Sequence, residues 1–178
     1  MLKRLIPLSL AIAAATGCAS SGRVHDKYYI RAASISGRER ISLSLEFFDA
    51  EGAPLTAEGE DFAGALENAE LKAGRPIFSG YTELVILGDC EYAETLTLLL
   101  NEWRVSPDCV VVYSAEGASL LRLSGAELAE GRTREAVKKG LAPESDVPKV
   151  LGDLFRNGEA EAPELTAEGV KGTKLLKK

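Results

Sequence analysis

Apolar and polar residues alternate strictly along residues 41–47. Ile41, Leu43, Leu45 and Phe47 fall on one face of an extended segment, with Ser42, Ser44 and Glu46 on the other. A period of two marks a half-buried strand, so Tyr28 to Ser36 and Ile41 to Phe48 predict a β-hairpin closed by Gly37-Arg38-Glu39-Arg40. The polar face of that hairpin is expected to be exposed and open to a partner. Asp49 to Pro54 reads as a loop.

The period then lengthens. Phe62, Ala65, Leu66 and Ala69 recur at helical spacing, which predicts a helix from an Asp61 N-cap to about Lys72, stopped by Gly74-Arg75-Pro76. Thr82 to Leu87 is a short apolar run ended by Gly88-Asp89, the pattern of a buried strand. Tyr92, Leu96, Leu99, Leu100 and Trp103 define one face of a second helix, from about Glu91 to Trp103. After Pro107-Asp108, Cys109 to Tyr113 reads as another buried strand. Ser124 with Glu127 has the form of a capping box for a helix running towards Lys139. Val147, Val150, Leu151, Leu154 and Phe155 mark a last helix from near Asp146.

The order β-β-α-β-α-β predicts an α/β (α+β) domain over residues 28–158, with a mixed sheet, helices packed on it and C-terminal helices. Residues 159–178, rich in Glu, Ala, Lys and Gly, show no apolar face long enough to pack and are expected to fray.

The N-terminus follows a different logic. Lys3 and Arg4 precede an apolar stretch from Leu5 to Ala15. It is shorter than the roughly 20 residues a bilayer span requires, and it suits a signal peptide. It ends in Ala15-Thr16-Gly17-Cys18, which resembles a lipobox with Ala15 in the place usually held by Leu. Residues 1–17 are therefore expected to be a lipoprotein leader, Cys18 the site of lipid attachment, and residues 18–27 a tether. The implied location is the extracytoplasmic face of the cell membrane, with membrane lipid as a partner through acylated Cys18.

Charge narrows the partners. The chain carries 21 basic and 27 acidic residues, a net charge of -6; removing Lys3 and Arg4 leaves 19 basic residues and a balance of -8. Such a domain repels nucleic acid. Cys90 and Cys109 either form a disulfide or remain free thiols, and neither has zinc-ligand spacing. The single histidine, His25, stands in the tether, so no nucleophile–base pair is apparent. Glu58 with Glu60, and Glu67 with Glu70, are spaced for a solvated face rather than for two carboxyls across a cleft. No metal site, cofactor or enzymatic activity is expected. Tyr81, leading into a buried strand, is either packed or a partner contact.

Three segments carry a resemblance. They are Thr56-Ala57-Glu58-Gly59-Glu60-Asp61-Phe62-Ala63-Gly64-Ala65-Leu66, then Ile77-Phe78-Ser79-Gly80-Tyr81-Thr82-Glu83-Leu84-Val85-Ile86-Leu87-Gly88, then Val110-Val111-Val112-Tyr113-Ser114-Ala115-Glu116-Gly117. In this order, after a lipobox and a hairpin, they resemble the N-terminal domain of the Ger(x)C spore germination lipoproteins, the C subunits of germinant receptors. The likeness covers roughly residues 18–165. Members of that family usually carry His where Tyr81 stands, and they are longer. The resemblance implies a non-enzymatic, membrane-anchored component of a spore germinant receptor at the spore inner membrane, beside integral membrane subunits. The other expectation is a stand-alone cell-envelope lipoprotein with a binding or structural role.

Overall fold

A computed structural model describes residues 26–50 and 52–178. The leader, Cys18 and His25 lie outside the described residues. Twelve elements follow: β1 (Tyr28–Ser36), β2 (Ile41–Phe47), β3 (Leu55–Gly59), α1 (Phe62–Ala73), β4 (Ile77–Phe78), β5 (Leu84–Leu87), α2 (Tyr92–Asn101), β6 (Val110–Tyr113), α3 (Gly117–Lys138), α4 (Val147–Asn157), β7 (Glu159–Thr166) and β8 (Gly169–Lys177). The fold is α/β, built on one mixed sheet in the order β3-β2-β1-β5-β6-β7-β8, with β4 beside the start of β1. β1, β5, β6 and β7 run parallel, whereas β2, β3 and β8 join their neighbours in antiparallel pairs.

Apolar side chains occupy both faces of the central strands, so each face needs a cover. Ile35, Leu43, Leu45, Val85, Leu87 and Val111 pack beneath α1, α2 and α4, with Phe62, Leu96, Leu99, Trp103, Val150 and Leu154 fully or nearly buried there. Ala32, Leu84, Ile86 and Val112 face the other way, towards Leu120, Leu121, Ala126 and Ala129 of α3. Three layers result.

Helix ends follow local chemistry. The Asp61 carboxylate accepts the Gly64 N–H at 2.7 Å, and the Asp146 carboxylate accepts the Lys149 N–H at 2.8 Å. Gly74 and Gly158, both left-handed, close α1 and α4. Gly59 has a packing role: a Cβ there would stand 2.2 Å from the Ala65 nitrogen, so only glycine lets α1 lie this close to β3.

Three expectations are corrected. Residues 159–178 do not fray. They form the antiparallel hairpin β7–β8, with Ala160, Ala162, Leu165 and Leu176 buried, because β7 joins the sheet beside β6 and the apolar side chains of the hairpin find cover there. The polar face of β2 is not open to a partner either: α3 covers it, Ser44 is buried, and Glu46 bonds to α3. The expected capping box at Ser124 and Glu127 is replaced by a break within α3, where Gly125 has φ 71° and ψ 162° and the Glu46 carboxylate caps the helix that resumes.

Candidate functional site

The site is set by a mismatch in strand length. Tyr29 of β1 pairs with Phe78, and Ala32 pairs with Leu84. Only Ile30 and Arg31 therefore stand opposite the five residues from Ser79 to Glu83, and the surplus must loop out of the sheet. Four hydrogen bonds fix the loop. Ser79 Oγ donates to the Trp103 carbonyl at 2.8 Å, while the Thr82 N–H and Oγ1 donate to the Ser79 carbonyl at 3.0 and 2.7 Å. The Glu83 N–H returns to the Arg31 carbonyl at 2.8 Å. Tyr81 is thereby held out, 62% exposed.

Tyr81 is not alone. Its ring stacks on Tyr29 at 5.8 Å and meets Phe78 edge-on at 5.4 Å, and Phe78 in turn meets Tyr29 at 5.5 Å. These separations are those of favourable aromatic pairs. Phe48, also exposed, lies under the Arg31 guanidinium at 5.5 Å. Arg31 is anchored by Glu83 at 3.1 Å and Glu127 at 3.3 Å. Beside the rings a cleft of about 990 Å³ opens at the end of the sheet where β5 and β6 begin; Arg104 to Asp108 form its second wall and Cys109 lies among its lining residues. Arg134 pairs with Glu130 at its rim, at 2.6 Å.

Of the titratable groups along the cleft, Cys109 is protonated and Glu83 and Glu130 are paired. Burial pushes the Cys109 thiol up to about 12, so it stays protonated at neutral pH and is a poor nucleophile. Glu83 and Glu130 are each engaged by an arginine. Among the described residues no group of three His, Cys, Asp or Glu side chains is placed to hold a metal ion, and no helix is long and apolar enough to cross a membrane. Of the acidic pairs, Glu58 is bound to Arg40 at 3.0 Å, and the Glu70 carboxylate accepts the Ile77 N–H at 2.9 Å.

The open question of Tyr81 resolves towards exposure rather than packing. That of the cysteines resolves towards free thiols, both buried. Register supplies the reason. Cys109 precedes the Val110–Leu84 pair, whereas Cys90 follows Leu87, which pairs with Tyr113. At ~3.3 Å per residue along parallel strands, the two stand more than ~13 Å apart along the sheet. A disulfide requires Cα atoms within about 7 Å.

The sequence pattern pointed to Tyr81 but not to Tyr29, Phe48 and Phe78 as its company. The signal was a length difference between paired segments, which only the register reveals. In comparisons with family models, with curated proteins and with solved structures, the chain finds no significant match.

Proposed function

We propose that the chain is a membrane-anchored lipoprotein component of a spore germinant receptor, non-enzymatic, acting in spore germination through contacts with integral membrane subunits. The observation that supports it most is positional. The three segments resembling the Ger(x)C lipoproteins fall on β3–α1, β4–β5 and β6, consecutive parts of one framework that begins ten residues after the lipobox cysteine. The surface at the start of that framework offers exposed rings and a rigid loop, features suited to contact.

The test is an affinity pulldown of the tagged protein from detergent-solubilised spore membranes. Recovery of multi-spanning receptor subunits is the expected result. Recovery of none, together with synthesis in vegetative cells rather than in the forespore, overturns the reading in favour of a stand-alone envelope lipoprotein.

A further inference from the structure

We infer that the aromatic cluster of Tyr29, Phe78 and Tyr81 is a second membrane contact, seated in the headgroup region of the bilayer beside the acyl anchor. The inference rests on the acylated Cys18 of the proposed function.

Position carries it. The rings gather where β1 begins, at Tyr28–Tyr29, the end of the domain that the chain enters directly from Cys18. Eight peptide units separate Cys18 from Asp26, a span of at most about 29 Å even fully extended. The opposite end of β1, at Ser36, is a further ~26 Å away at strand spacing. The ring-bearing end is thus the one nearest the attachment point, and the Gly37–Arg40 turn is the farther one.

Chemistry agrees with position. Amphipathic rings of Tyr favour the boundary between headgroup and acyl chain. Here the rings are already assembled and their loop already pinned, so little order is lost on insertion. Exposed cations stand at this end of the sheet: Lys27 Nζ lies 5.9 Å from the Phe78 ring, Arg75 lies 5.1 Å from the neighbouring Tyr28 ring, and Arg104 stands on the cleft wall. Asp26, Asp49 and Asp108 offset that charge nearby. With a chain that is acidic as a whole, insertion of apolar rings rather than attraction to anionic lipid drives the contact, and salt has little effect on it.

The test uses full-length protein made in cells that process lipoproteins, with the mass of its N-terminal peptide measured first. Tyr81→Trp and, at the far end of β1, Glu39→Trp are each reconstituted into vesicles of phosphatidylcholine and phosphatidylglycerol brominated near the glycerol. The emission of buried Trp103 is subtracted using wild-type protein. Quenching by at least half at position 81, little at position 39, and no change between low and high salt is the expected result. Equal quenching at the two positions in protein that carries the acyl mass overturns the inference and leaves the anchor standing. So does quenching at position 81 that vanishes on co-reconstitution with receptor subunits, which assigns the rings to protein instead. Protein without the acyl mass overturns the anchor, and the inference with it.

Discussion

The Glu46 carboxylate of β2 accepts the Ala126 N–H of α3 through both oxygens, at 3.0 and 2.9 Å, across 80 residues of sequence. Gly125 makes the bond possible. Its φ of 71° and ψ of 162° lie in a region open essentially to glycine, and they end one helical run so that another starts at Ala126. The new run exposes unpaired N–H groups, and a carboxylate from the sheet meets them. A bond between the sheet and its covering helix thus fixes where α3 bends.

Removing that cap has a defined cost. Glu46→Ala is expected to destabilise the protein by about 1–2 kcal/mol, and Gly125→Ala by about 1–3 kcal/mol through backbone strain. Denaturant unfolding checks both. If Glu46→Ala unfolds at the wild-type midpoint, the carboxylate is not the cap of this helix.

The buried thiols predict how stability responds to alkali. Burial raises Cys90 from 9.0 to about 11, Cys109 from 9.0 to about 12, and Tyr92 from 10.0 to about 12. Above pH 9 the unfolded chain releases thiol protons that the folded protein retains. Stability is therefore complete below pH 9 and declines as pH rises towards 11, by about 1 kcal/mol for each thiol at pH 10. Urea midpoints at pH 8 and pH 10 test this. A Cys90→Ala, Cys109→Ala double variant should lose less between the two, while wild type whose midpoint holds constant to pH 10 would contradict it.

The C-terminal hairpin makes a third prediction. Leu176 is fully buried in β8 against the larger core. Leu176→Ala is expected to cost about 2–4 kcal/mol, the range for deleting buried methyl groups. Thermal unfolding of this variant beside Lys177→Ala, an exposed neighbour, separates packing from the general effects of mutation. Equal melting temperatures for the two would mean that residues 159–178 do not pack.

That hairpin also shows where the sequence becomes hard to read. β2 is legible because large apolar residues announce its period, and β5 and β6 because they are short unbroken apolar runs. β7 alternates only briefly, with Ala160 and Ala162 buried against exposed Glu159 and Glu161 before the register shifts at Glu164–Leu165, and alanine contributes little apolar surface and favours helices over strands. Pro163 also argues against a central strand, and it fits because β6 pairs with β7 only at Tyr113–Glu164. β3 was hidden for a similar reason: its buried positions are Ala57 and Gly59. The leaders of the candidate site were half legible. Tyr81 stands out next to an apolar run, but Tyr29 and Phe48 become its neighbours only through β1's pairing with β2 on one side and with β4 and β5 on the other.

Arg104 gives the last prediction. α1 and α4 end on left-handed glycines, Gly74 and Gly158, whereas the chain leaving α2 turns through Arg104 at φ 52°. Arg104 is the one non-glycine residue with positive φ among those described. Two bonds hold the turn: the Trp103 N–H to the Leu98 carbonyl and the Val105 N–H to the Leu99 carbonyl, each at 3.2 Å. A side chain in this conformation costs roughly 1–2 kcal/mol, and glycine avoids that cost while adding some 0.5–1 kcal/mol of unfolded-chain freedom. Arg104→Gly should therefore stabilise the fold by up to about 1 kcal/mol, against a destabilised Arg104→Val. The same change removes a cation from the cleft wall, so weaker partner binding in the more stable Arg104→Gly variant would show that strain at this position is retained for contact. A variant that is less stable than wild type would show instead that the arginine side chain contributes to packing at the end of α2.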